Sequence, residues 1–237
     1  MMQLLISVTS TEEAQIALEN GADFIDLKDP AQGALGALPI DTIAEIVRYV
    51  KAGSNSGNKL TSATIGDLPM KPQLIAEQVV QLAKTGVDII KIGFFDDNGN
   101  NFSDYELCLS SLAPLAKSGL KLIAVLFAEY KYPFSLISSI KNAGFYGVML
   151  DTAVKNGATF LDYFTEDEFK KFSENVRAHN LIFGLAGSLA IQHVAKVKEF
   201  NPSYMGFRGG VCVDNQRKFR LDSVKISILR KALQCML

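Results

Sequence analysis

Hydrophobic and polar positions along the chain fall into two alternating textures. Short apolar runs of strand length occupy residues 4–8, 24–28, 60–64, 88–93, 122–127, 147–151, 182–186 and 204–208, and each is followed by a longer stretch of helical period. In one such stretch Leu74, Ile75, Val79, Leu82 and Ala83 line up as a single apolar stripe. Eight strand–helix pairs without a break in composition predict an α/β chain, a single (β/α)₈ TIM barrel spanning residues 1–237. A doubly wound open sheet is the competing arrangement.

Punctuation supports this segmentation. Ser10 with Glu13, Ser103 with Glu106 and Thr165 with Glu168 each match a capping box, whose side chains take up free N–H groups at a helix start. Gly21, Gly86, Gly119 and Gly144 each fall where a helix should end, a position that favours left-handed backbone. The polar segment 53–59 lacks the spacing of a P-loop and is expected to be a surface loop.

Three of these glycines also act as rulers. Counted from the glycine, Asp26 and Lys91 stand fifth in their segments, and Lys28, Gly93 and Asp151 stand seventh. Side chains alternate along a strand, so all five share one face. The residues between them (Ile25, Leu27, Ile90, Ile92, Val148, Leu150) are apolar and suit the helix-covered outside. The polar set is therefore expected inside the barrel near the C-terminal strand ends, where barrel active sites form.

Ammonium groups in such a place are costly unless paired. Asp26 stands two residues before Lys28 on the same face, close enough to pair with it or exchange protons, Lys91 arrives from another strand, and Lys155 follows Asp151 by four residues. Any one of these lysines alone reads as a structural ion pair; the whole set on one rim points to chemistry. A desolvated lysine beside another cation becomes a neutral amine that can form a Schiff base with a carbonyl. A second lysine or an aspartate can then act as general base. That is the outline of a class I aldolase, which needs neither metal nor organic cofactor.

A phosphate site has an address as well. Gly187 and Ser188 follow the seventh strand, and Arg208, Gly209 and Gly210 follow the eighth. Loops there commonly bind phosphate through backbone N–H groups, and Arg208 would add a bidentate cation. The alternative is two tight turns with no ligand. His179 and His193 fall on predicted helices away from the strand ends, which argues against a histidine triad or metal site. Lys121 opens its strand, is assigned the parity opposite to the inward set, and is expected at the bottom or outside. Phe94, Phe95, Asp96 and Asp97 fit either a lid or a solvated loop, and Glu129 and Tyr130 are candidates to reach the pocket.

Composition narrows the partners. The 237 residues are 48% hydrophobic and 21% charged with a net charge of −1, which gives no sign of nucleic acid or an anionic membrane as partner. Cys108, Cys212 and Cys235 are odd in number and lack metal-ligand spacing, as expected of free thiols in a reducing compartment. There is no signal-peptide pattern and no apolar run of ~18 residues, so a cytoplasmic protein is expected. Self-association is left open.

Several stretches together carry a family resemblance. They are Gly21-Ala-Asp-Phe-Ile-Asp-Leu-Lys-Asp-Pro30, Gln32-Gly-Ala-Leu-Gly36, Ser62-Ala-Thr-Ile-Gly-Asp67, Ile90-Lys-Ile-Gly93, Met149-Leu-Asp-Thr-Ala-Val-Lys155, Leu185-Ala-Gly-Ser188 and Gly206-Phe-Arg-Gly-Gly-Val-Cys212. In order and content the chain resembles the (5-formylfuran-3-yl)methyl phosphate synthases of methanofuran biosynthesis as far as about residue 212. The resemblance implies a cofactor-independent lyase that condenses two molecules of glyceraldehyde 3-phosphate with loss of water and one phosphate. It also implies that Lys28 forms the Schiff base, that Lys91 is the proton acceptor, and that Asp26, Asp151 and Lys155 assist. Another lysine-dependent aldolase, or a barrel that only binds sugar phosphates, remains the alternative.

Overall fold

Eight strands that are apolar on the outside, and largely apolar on the inside except near their C-terminal ends, need cover on both faces, and closing the sheet on itself supplies it for the inner one. In the computed structural model, which describes residues 2–53, 59–95 and 102–234, the strands form one closed parallel barrel in sequence order. They are β1 (Gln3–Val8), β2 (Phe24–Leu27), β3 (Leu60–Thr64), β4 (Ile89–Gly93), β5 (Lys121–Phe127), β6 (Gly147–Asp151), β7 (Ile182–Leu185) and β8 (Tyr204–Phe207). β8 pairs back onto β1 through Leu5 opposite Gly206, which completes the ring. Around it lie α1 (Thr11–Glu19), α2 (Ile40–Ala52), α3 (Pro72–Ala83), α4 (Phe102–Lys117), α5 (Leu136–Asn142), α6 (Glu166–Ala178), α7 (Val194–Lys198) and α8 (Ser223–Gln234). The barrel, and not the open sheet, is the fold.

Alternation along each strand sorts the core into two shells. Ile25, Leu27, Ile90, Ile92, Val148 and Leu150 point outward into the large cluster that the helices cover. Leu5, Phe24, Ile89, Ile123, Val125, Met149 and Tyr204 fill the barrel itself. Ile75, Val79 and Leu82 of the expected stripe are the buried face of α3. Gly21, Gly86, Gly119 and Gly144 all have positive φ, as their place at helix ends requires.

The expected caps fare differently. Thr165 and Glu168 form the reciprocal box at α6. Ser10 caps α1 by accepting the Glu13 N–H, but the Glu13 carboxylate turns to Thr9 and Arg208 instead of closing the box. Ser103 is not a cap, because α4 has already begun at Phe102. Lys121 has the same parity as Ile123 and Val125, contrary to expectation, yet stands exposed at the bottom with its ammonium over the Tyr146 ring. Phe94 is no lid; it is fully buried and packs edge-on against Tyr105 and Phe145. Asp96, Asp97, Cys235 and residues 54–58 of the polar segment lie outside the described residues.

Tyr204 seals the floor of the barrel. Its ring packs 5.1 Å from that of Phe24 and lies directly over Gly184, where an added Cβ would fall 2.1 Å from the ring. Its hydroxyl is buried with no hydrogen-bond partner among the described residues. The Gly184→Ala protein should therefore be less stable by about 1–3 kcal/mol, the usual cost of forcing an atom into a filled core. Urea unfolding of both proteins measures it, and equal midpoints would show that the ring can yield.

Candidate functional site

Inside the upper half of the barrel the charged side chains form two tiers. In the lower tier, Lys91 on β4 reaches Asp26 on β2, with Nζ 2.5 Å from Oδ1. The approach is an ion-pair contact whose angles fall outside those of a well-formed hydrogen bond. Ser62 Oγ donates to Asp26 Oδ1 at 2.6 Å and Ser7 Oγ donates to Oδ2 at 2.9 Å. Lys91 is only 1% exposed, and neither it nor Asp26 touches the cavity above.

The upper tier is built on Asp151, the last residue of β6. Its Oδ1 takes the Lys155 ammonium at 2.6 Å and its Oδ2 lies 3.6 Å from Lys28 Nζ, so one carboxylate stands between two amines. The Thr152 N–H also donates to Oδ1. Lys28 leaves β2 at its C-terminal end and is 6% exposed, and its Nζ lies 3.5 Å from the Ala34 carbonyl. Of the two roles the sequence left open for Asp26 toward Lys28, direct pairing is not the one formed. Two residues along one strand are about 6.6 Å apart, whereas barrel closure brings β4 to Asp26 and β6 to Lys28.

The electrostatics follow from this pairing. Burial opposes ionisation of Asp151, but the Lys155 and Lys28 ammoniums outweigh it and hold the carboxyl well below its usual range. Asp26 behaves alike: burial raises it, Lys91 and Lys28 pull it down further, and the net direction is down. Burial is the main force lowering Lys91, aided by Lys28 and resisted by Asp26. Lys155 is likewise lowered chiefly by burial, with Lys28 and Arg217 pushing the same way against Asp151. Both amines lose their protons more readily than a solvated lysine.

Above Lys28, Asp151 and Lys155 opens a cavity of about 390 Å³, a size suited to a small phosphorylated molecule. Its far wall is the loop after β7 and the turn after β8. Gly187 and Ser188 both have positive φ, and among the described residues no protein acceptor takes their N–H groups or those of Gly209 and Gly210. Gly187 is confined by Thr152, which a Cβ would meet at 2.8 Å. Free N–H groups along one cavity wall suit an anion.

Arg208 is different from expectation. Its guanidinium forms a bidentate pair with Glu13 and donates to the carbonyls of Ser7, Arg217 and Phe219, so all five N–H donors are engaged within the protein. It pins the end of β1 and has nothing left for a phosphate. Arg208 still lines this wall, and beside it stands a second guanidinium, that of Arg217, half-buried in the irregular segment after β8, with Nη2 on the Gly33 carbonyl. His193 also lines the cavity, because it ends a short 3₁₀ turn following the β7 loop and does not lie on a distant helix. Its Nδ1 accepts the Ala190 N–H at 3.0 Å, which places the ring proton on Nε2. Glu129 and Tyr130 do not line the cavity. The Glu129 carboxylate instead accepts the N–H groups of Ala153 and Val154, bracing the loop that carries Lys155.

Ser7, His193 and Arg217 escaped sequence reasoning. β1 has no preceding glycine from which to count, although the inward parity of Leu5 and Ser7 was there to read. Arg217 lies where nothing is periodic. Among the described residues no three His, Cys, Asp or Glu side chains are grouped as metal ligands, and no helix is long and apolar enough to cross a membrane. Cys108 and Cys212 are buried free thiols, and burial pushes Cys108 up to about 11.

Asp151 and Asp26 share one linkage consequence. The neighbouring ammoniums hold both carboxyls below the ordinary aspartate range in the folded chain, so their stabilisation is complete above that range and drains away as the pH falls through their lower folded values. Asp151→Asn leaves two buried ammoniums uncompensated and should lower stability at neutral pH by about 3–5 kcal/mol. The variant should also lose less stability than the parent on acidification below about pH 4. Urea titrations across that range measure both effects, and parallel acid profiles would disprove the pairing.

The 4-HFC-P synthase family model matches residues 4–230, beyond the point near residue 212 where the motif resemblance fades. A Methylorubrum extorquens protein provisionally given the name (5-formylfuran-3-yl)methyl phosphate synthase is 37% identical over 234 residues, 98% of this chain and 92% of its own. The (5-formylfuran-3-yl)methyl phosphate synthase of Archaeoglobus fulgidus is 32% identical over 218 residues, 89% of this chain and 91% of its own. Among solved structures, phosphoribosyl anthranilate isomerase from Thermus thermophilus aligns with a TM-score of 0.66 at 14% identity over 98% of both chains, a likeness of fold alone. Over nearly its whole length, the chain belongs to the 4-HFC-P synthase family.

Proposed function

We propose that this chain is a lyase that condenses two molecules of glyceraldehyde 3-phosphate to (5-formylfuran-3-yl)methyl phosphate, with loss of water and one phosphate, in methanofuran-type carrier biosynthesis. One observation carries the proposal: a single buried carboxylate, Asp151, held between two amines at the base of a cavity walled by free backbone N–H groups. In this reading Lys28 is the amine that attacks the substrate aldehyde and forms the imine, which then serves as an electron sink. Lys155 and Asp151 exchange protons with the oxygen lost as water. Lys91 with Asp26 is the proton acceptor beneath. The phosphate rests on the N–H groups of Gly187, Ser188, Gly209 and Gly210, and Arg217 supplies the cation in place of Arg208. The family name supports the furan product; the amine-rich, phosphate-sized cavity supports the substrate class.

Incubation with glyceraldehyde 3-phosphate alone should produce the ultraviolet absorbance of a conjugated furan aldehyde, whereas a simple aldolase would give no such chromophore. Borohydride added during turnover should fix the substrate on Lys28, as read by peptide mass spectrometry; an unmodified Lys28 would remove the imine mechanism. Lys28→Arg keeps the charge but loses the nucleophile, so activity should fall by several orders of magnitude. A barrel that merely binds sugar phosphates would tolerate it. Arg217→Gln should raise KM by about tenfold or more, the worth of one charge-assisted hydrogen bond. An unchanged KM would return the phosphate to backbone contacts alone.

A further inference from the structure

The lower pair raises a problem of access. Lys91 and Asp26 are sealed beneath the cavity and contribute none of its wall. Any proton they exchange with a bound molecule must cross a side chain that touches both. Lys28 lines the cavity but is paired with Asp151 and not with Asp26. Ser62 touches Asp26 but is buried away from the cavity. Ser7 does both: it lines the cavity, and its Oγ donates to Asp26 Oδ2 at 2.9 Å.

We infer that the Ser7 hydroxyl is the proton conduit between the cavity and the Lys91–Asp26 pair. The inference rests on the proposed furan-forming activity and adds a proton-transfer residue to it. When a substrate hydroxyl or a water in the cavity gives up a proton, Ser7 Oγ takes it and passes its own hydroxyl proton to Asp26 Oδ2. An O–H bond forms at Ser7 as another breaks there, and the lower pair as a whole gains one proton. The reverse sequence returns it, so no other reactant is needed.

Ser7 is also held in place for this task. Its carbonyl accepts Arg208 Nη1 at 3.0 Å, and the Arg208 guanidinium is in turn fixed by Glu13. The end of β1 is thereby clamped, and Ser7 stands directly opposite Asp26 in the β1–β2 register. Burial foremost lowers the proton affinity of Lys91, so a proton held on the pair is readily returned through Asp26 and Ser7.

The test compares Ser7→Ala, Ser7→Thr and Ser62→Ala with the unaltered protein, using glyceraldehyde 3-phosphate and furan absorbance. Ser7→Ala should lower kcat by about 100-fold, within the usual range for losing one proton-transfer group. KM and the borohydride-trapped adduct on Lys28 should stay close to the parent values, because imine formation occurs above the conduit. Ser7→Thr keeps the hydroxyl and should recover most of the turnover. Ser62→Ala removes a hydrogen bond from the same carboxylate without opening the path, and should cost less than about tenfold. Near-parental kcat in Ser7→Ala would overturn the inference, as would equal losses in Ser7→Ala and Ser62→Ala or loss of Lys28 trapping in step with turnover. If the unaltered protein itself forms no furan, the proposed activity fails and the conduit falls with it, an outcome visible before any variant is made.

Discussion

Two buried carboxylates set among three amines inside the barrel fix the terms for the rest of this molecule. Asp151 serves Lys28 and Lys155, and Asp26 serves Lys91. Left alone, ammonium groups at that depth would each carry a large desolvation penalty. Pairing removes most of it but not all, since three cations face two anions and one positive charge stays in excess. That excess favours a neutral amine among the lysines and a negative ligand in the cavity. Two properties sought in a carbonyl-attacking site for phosphorylated substrates therefore follow from one imbalance.

The same economy of charge explains why Arg208 and Arg217 have exchanged the parts their positions suggest. Arg208 follows a barrel strand at the usual phosphate end, yet it lies beside Glu13, whose carboxylate is not drawn into the α1 cap and is shared between Thr9 and Arg208. A guanidinium with five donors matched to one carboxylate and three carbonyls is a strut. It ties β1, α1 and the segment after β8 together. Among the described residues Arg217 forms no ion pair with a carboxylate and donates to the Gly33 carbonyl alone, and it lines the cavity. The Gly33 loop is anchored in turn by Asp67, which accepts the Leu35 N–H.

The fold and the inward residues were legible because they depend on periodicity. Helix-ending glycines marked strand starts, and alternation then assigned Asp26, Lys28, Lys91 and Asp151 to the interior without any knowledge of neighbours. Which lysine meets which aspartate was not legible, because strand order and stagger in a closed barrel are set by all eight strands together. Ser7, His193 and Arg217 were missed for related reasons. A serine at an inward position carries no charge to attract notice. His193 depends on a single 3₁₀ turn being distinct from α7, and Arg217 depends on the course of a loop. Local chemistry was readable from local sequence, whereas partnerships formed by closure were not.

The tyrosine over Gly184 has a last consequence. Among the described residues Tyr204 and Phe24 pack across the bottom of the barrel, and the cavity over Lys28 and Asp151 is its neck. Water, ions and ligand all share that neck, and a molecule seated in it corks whatever lies below. In the proposed cycle, a proton acquired at the bottom then has no drain of its own among the described residues. It must leave by the route it entered, which ties the restoration of the resting state to the departure of the occupant.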